Sequence, residues 1–154
     1  MILALCVTMT LPSTLYLVFG YALLGATHSP SLFDSVDVID GVDWLSAHSD
    51  WQDTVFSAER TGNLIPALIG HRVYLGHPME TAYYDAKTET VERFFSSAMQ
   101  EVERESILRE CNCRFVFYGP NESVIGNWQP NPQFLRLQYA NSTVSIYRVI
   151  GEPQ

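Results

Sequence analysis

The stretch T-V-F-S-A-E-R-T-G-N-L-I-P-A-L-I-G-H-R-V-Y-L-G-H, from Thr54 to His77, decides the fold class. Thr54-Val55-Phe56-Ser57-Ala58 is a short apolar run of the kind that forms a buried strand. Thr61 to Ile69 reads as a short helix, and Gly70 stands where a helix C-terminus takes a left-handed residue. Arg72-Val73-Tyr74-Leu75-Gly76-His77 reads as a second strand. Strands separated by a helix favour parallel pairing through a right-handed crossover.

The flanking sequence extends this unit. Val36 to His48 places Val38, Val42 and Leu45 on one helical face, with Asp34 or Ser35 to cap its start. Thr88 to Glu110 is expected as the longest helix, with an apolar stripe through Val91, Phe94, Phe95, Val102 and Leu108. The charges between them, Arg104 included, are expected on its solvated outer face. Arg114 to Gly119 is a third strand. Leu135 to Tyr139 and Val144 to Ile150 flank Asn141-Ser142 as a hairpin. The expected fold class is α/β: a mixed sheet of about five strands, three parallel plus a C-terminal antiparallel hairpin at the edge, with flanking helices.

Met1 to Ala26 contains no charged residue. A helix crosses a bilayer with roughly 20 apolar residues, so this stretch is expected as an N-terminal transmembrane helix, kinked at Pro12. The competing readings are a signal peptide and a buried core helix; a signal peptide needs a basic start, and the first basic residue here is Arg60. The flank after Ala26 carries Asp34, Asp37, Asp40 and Asp43, which puts the following domain on the extracytoplasmic side. The expected layout is therefore a span over 1–26, a linker over 27–35, a soluble domain over 36–150 and a tail over 151–154. A span beginning at the first residue also fits the last span of a longer protein.

A formal charge of −8 argues against nucleic acid as a partner. Cys111 and Cys113, in C-N-C, are too tightly spaced for an easy disulfide and lack a second pair for zinc, so they read as ordinary thiols. Asn121-Glu122-Ser123 and Asn141-Ser142-Thr143 fit the N-glycosylation pattern. No catalytic triad, Walker A or dinucleotide fingerprint is present. No catalytic residue, metal or cofactor is therefore assigned.

Ligands of parallel sheets sit beyond the carboxyl ends of the strands. The loops there would carry Arg60, Asn63, His77, Glu80, Thr81 and Glu122 to one rim. Arg60 beside a helix start suits a phosphate or carboxylate. The competing readings are a salt bridge from Arg60 to Glu59 or Glu122, and a hydrogen-bonded core role for His77.

Gly70-His71-Arg72-Val73-Tyr74-Leu75-Gly76-His77, then Glu80-Thr81, Lys87 and Val91-Glu92-Arg93-Phe94-Phe95, resembles the C-terminal region of bacterial polytopic membrane glycosyltransferases of the mannosyltransferase-like class. Tyr118-Gly119-Pro120-Asn121-Glu122 and Val144 to Val149 are similar too, so the resemblance covers most of Asp43 to Ile150. Two positions depart from the pattern: Pro78 follows His77 where an aromatic is common, and His71 precedes Arg72. The resemblance implies an extracytoplasmic domain that helps hold a polyprenyl-phosphate-linked sugar or its acceptor, with the membrane bilayer and a polytopic membrane core as partners. It carries no catalytic carboxylate onto this chain. A stand-alone membrane-tethered module for an anionic small molecule, and a purely structural domain, are the alternatives.

Overall fold

The computed structural model describes residues 15–23 and 34–150. The chain divides into two compact units, Met1–Ser35 and Val36–Gln154. In the first, residues 15–23 form helix α1, whose Leu15, Leu17, Val18 and Phe19 are exposed. No helix among the described residues is long and apolar enough to cross a membrane. Most of the span expected over 1–26 falls on 1–14 and 24–26, outside the described residues, as do 27–33 of the linker and the tail at 151–154.

The second unit runs α2 (Val36–His48), β1 (Thr54–Phe56), α3 (Glu59–Ile69), β2 (Arg72–Val73), α4 (Tyr84–Phe95), α5 (Glu101–Glu110), β3 (Cys113–Tyr118), α6 (Pro120–Ile125), β4 (Leu135–Ala140) and β5 (Ser145–Val149). The five-stranded mixed sheet has the order β2-β1-β3-β5-β4. β1 pairs in parallel with both β2 and β3, while β5 is antiparallel to β3 and to β4. The hairpin therefore does not supply two edge strands as expected. β5 lies inside the sheet, and β4 alone forms that edge. The strand expected over Arg72 to His77 is also shortened to two residues, after which the chain turns away into the site described below.

Both faces of the sheet are covered. Val55, Phe115 and Phe117 point into one core with Val38, Val42 and Leu45 of α2 and Ile65 of α3. Phe56 and Val116 point into the other, with Val91, Phe94 and Phe95 of α4 and Leu108 of α5. Adjacent strand residues face opposite sides. A strand segment buried on both sides must then be apolar, which explains the runs Val55-Phe56 in β1 and Phe115-Val116-Phe117 in β3. The Phe94 ring packs at a tilt 4.5 Å from Phe56 and 5.7 Å from the buried Trp128, centroid to centroid. Each such side chain contributes about 1.5–3 kcal/mol on full burial, so this aromatic cluster anchors the second layer.

Three local expectations are corrected. Thr88 to Glu110 is not one helix but two, α4 and α5. The cause is Arg104, which is not on an outer face but 4% exposed. Its guanidinium donates to the carbonyls of Phe94 (2.8 Å) and Ser96 (2.6 Å) and pairs with Glu101. It thus satisfies the open C-terminus of α4, which the chain would otherwise need to continue as helix. Cys111 and Cys113 form a disulfide. Asn112 between them takes a φ of 50°, and this tight left-handed turn brings the two Cα atoms to 5.2 Å, within disulfide range. The third correction is α6: Pro120–Ile125, expected as a strand-end loop carrying Glu122, is helical.

Gly70 behaves as expected: at φ 71° it caps α3, its N–H donating to the Pro66 carbonyl at 3.0 Å. The hairpin turn is tied to α2, since the Asn141 amide donates to the Asp37 carbonyl at 2.8 Å.

Candidate functional site

The carboxyl ends of β1, β2 and β3 lie along one edge because the three strands are parallel. Each end has a different fate. β1 leads through buried Ser57 and Ala58 directly into α3, so Glu59 and Arg60 begin that helix rather than a loop. β3 leads through Gly119 into α6. After β2 the Tyr74 N–H still donates to the Val55 carbonyl at 3.0 Å, and the chain then leaves the sheet at Leu75 and Gly76.

The bend after β2 packs on the backbone of α3. A Cβ on Gly62 would stand 1.8 Å from the Leu75 carbonyl oxygen. Only a residue without a side chain permits this approach. It sets the floor of an open cleft of about 1110 Å³, in which Asn63, His77, Glu80 and Thr81 all take part.

Within the cleft the polar groups are oriented by local hydrogen bonds. Thr81 Oγ1 accepts the Gly76 N–H at 3.1 Å, which leaves its own hydrogen free to donate. His77 is exposed, and its Nδ1 accepts the Met79 N–H at 3.2 Å. The proton of the neutral ring therefore sits on Nε2. The N–H groups of Glu80 and Thr81 both donate to the His77 carbonyl, at 3.0 and 2.9 Å, which closes the loop on itself. The Glu80 side chain is exposed.

Two further cations line this cleft, Arg72 and Lys87, neither of them in the residue set drawn from the sequence. Lys87 is the chain's only lysine, and its place in the resemblance pattern was the one signal that could have singled it out.

Arg60 and Glu122 do not join the other four. Arg60 lines a separate, smaller cleft of about 320 Å³ with Glu92, Thr88 and Asn121. Glu122 is fully buried. Its Oε1 accepts the Ala58 N–H at 2.9 Å and its Oε2 the Gly119 N–H at 2.8 Å. One carboxylate thereby clasps the ends of β1 and β3 together. Burial pushes its pKa up, while hydrogen bonds from Thr61 and from the Ala58 and Gly119 N–H groups oppose that rise. Alongside, the Asn121 amide donates to Thr61 Oγ1 at 3.1 Å.

His71, which departs from the resemblance pattern, is buried at the cleft's margin. Its Nδ1 faces the Ile69 carbonyl at 3.2 Å and its Nε2 the Ser49 hydroxyl at 2.9 Å. The Ser49 hydroxyl in turn donates to the Leu45 carbonyl, so the His71 ring is linked through Ser49 to the end of α2. Glu59 holds the hydroxyl of Tyr84 at the start of α4, a hydrogen bond that raises the tyrosine's pKa. Among the described residues no cluster of His, Cys, Asp and Glu is arranged to hold a metal ion.

No family model and no curated protein matches this chain. The fold is similar to the crystal structure of the C-terminal globular domain of an oligosaccharyltransferase from Archaeoglobus fulgidus, with a TM-score of 0.56 over 76% of this chain and 99% of that one. The two are 16% identical, so the likeness is one of fold.

Proposed function

We propose that this chain is the C-terminal extracytoplasmic domain of an integral-membrane glycosyltransferase-like protein, assisting the binding of a lipid-linked sugar or its acceptor rather than carrying the catalytic residues. The observation that carries this reading is the cleft beyond β2, where Asn63, His77, Glu80 and Thr81 converge. An amide, an Nε2–H, a carboxylate and a hydroxyl suit the alternating donors and acceptors of a sugar. The fold's likeness to a globular domain of an oligosaccharyltransferase supports the same reading. The Cys111–Cys113 disulfide favours an oxidising compartment. Helix α1, apolar and exposed at most positions, favours attachment to a membrane.

The test is glycosyl transfer by membranes carrying the whole protein, compared with a form lacking Val36 to Gln154 and with the double variant His77→Ala, Glu80→Gln. The expected result is loss of transfer on deletion, and a KM raised about tenfold or more by the double variant at little changed kcat. Transfer that survives the deletion overturns the proposal.

A further inference from the structure

Two cations line the cleft, Arg72 and Lys87, and neither is in an ion pair with a described residue. Among the described residues, Arg93, Arg104 and Arg109 each pair with a glutamate of α5. Arg72 and Lys87 make no ion pair with any described residue. Each instead lies over an aromatic face: Arg72 Cζ is 5.4 Å from the centre of the Trp51 ring, and Lys87 Nζ is 5.0 Å from that of Tyr74. A ring face attracts a cation without taking its hydrogen-bond donors. Both groups are thus held in place with their N–H donors available. In a chain of net charge −8, the cleft's lining is locally balanced, with Arg72 and Lys87 set against the carboxylates of Glu80 and Glu110.

We infer that Lys87 and Arg72 form a phosphate-binding site in this cleft, and that the ligand is a phosphate ester whose hydroxyl-bearing part lies toward Glu80 and Asn63. The inference rests on the sugar-binding reading above for the second half of that statement only. A phosphate oxygen accepts charge-assisted hydrogen bonds from an ammonium and a guanidinium, and Arg72 presents the planar fork that suits it. The Thr81 hydroxyl, whose oxygen is occupied by the Gly76 N–H, adds a neutral donor. Glu80 would repel a phosphate placed against it but accepts sugar hydroxyls, so the carboxylate orients the ester within the cleft. The same chemistry is offered by a free phosphate ester and by the head of a polyprenyl phosphate.

The experiment is isothermal titration calorimetry on the full chain with three probes: dimethylallyl phosphate, inorganic phosphate and the uncharged dimethylallyl alcohol. Dimethylallyl phosphate should bind and the alcohol should not. Lys87→Met should raise Kd about tenfold or more, and Lys87→Arg should keep most of the binding. Arg72→Met should weaken it as well. Binding should also fall with added salt, less steeply in Lys87→Met than in the parent chain. Binding of dimethylallyl phosphate above inorganic phosphate identifies the isoprenoid ester as the source, and equal binding overturns the ester half of the assignment by showing that the phosphate alone is recognised. The assignment is overturned if no phosphate probe binds, or if Lys87→Met binds as the parent does while its circular dichroism is unchanged. In either event, transfer that still depends on His77 and Glu80 leaves the sugar-binding reading standing; loss of that dependence as well removes both.

Discussion

Two strand ends of this sheet, those of β2 and β3 on either side of β1, solve the same problem in opposite ways. Beyond β3 the chain is sealed: Glu122 is buried, and both of its oxygens accept backbone N–H groups, one from each of two strand ends. Beyond β2 the chain is open, with His77 and Glu80 exposed and two cations resting on aromatic rings above a wide cleft. Polar residues at strand ends thus divide into those that close a loop for the fold and those left facing solvent. Burial and occupancy of each acceptor separate the two classes; residue type does not, since Glu80 and Glu122 are the same amino acid.

The comparison breaks most severely at the joint between the two regions. Gly62→Ala places a methyl group on the Leu75 carbonyl, which is backbone and has no room to yield. Chemical denaturation should show a loss of about 3 kcal/mol or more, as expected for overpacking against a fixed element. Glu122→Ala comes next. It leaves the Ala58 and Gly119 N–H groups unsatisfied in a buried site, at a cost of about 2 kcal/mol.

Glu122→Gln sharpens the same point through pH. Because burial raises the folded-state pKa, the contribution of Glu122 to stability is fully present below its unfolded pKa and is lost as pH rises through the folded value. The parent chain should therefore gain stability over Glu122→Gln as pH falls from neutral into the carboxyl range. A gap that stays constant with pH would show that Glu122 does not titrate differently in the folded state.

The open side should respond less. Thr81→Val removes the acceptor of the half-buried Gly76 loop bond and should cost about 1 kcal/mol in urea denaturation. Glu80→Gln, an exposed change, should alter stability by no more than about 0.5 kcal/mol, yet reduce sugar affinity. A large stability loss from Glu80→Gln would place it with Glu122 on the sealed side.

Much of the fold was legible because it rests on periodicity. The three-four spacing of Val38, Val42 and Leu45 matches the helix Val36–His48 over its whole length, and the paired strands around Asn141 are those of the hairpin. What escaped was set by tertiary contacts. Arg104 looks like one more surface charge of a helical stripe, and only its contacts with the Phe94 and Ser96 carbonyls reveal that it ends α4. The disulfide depended on a left-handed Asn112, which spacing alone does not announce. In the candidate site, parallel pairing was enough to gather Asn63, His77, Glu80 and Thr81. It could not separate Arg60 and Glu122 from them, because the start of α3 at Glu59 and the burial of Glu122 are both products of packing. Arg72 and Lys87 were visible as residues, but that neither makes an ion pair with a described residue is a property of the folded chain.

The most direct test of the central claim is a map of backbone amide shifts by NMR as a short-chain polyprenyl-phosphate sugar is added to the full chain. Shifts should concentrate at Asn63, Gly76, His77 and Thr81, with Ala58, Gly119 and Glu122 unmoved. Shifts confined to the sealed region around Glu122, or no shifts at all, would contradict the assignment of the β2 cleft as the site that holds the sugar.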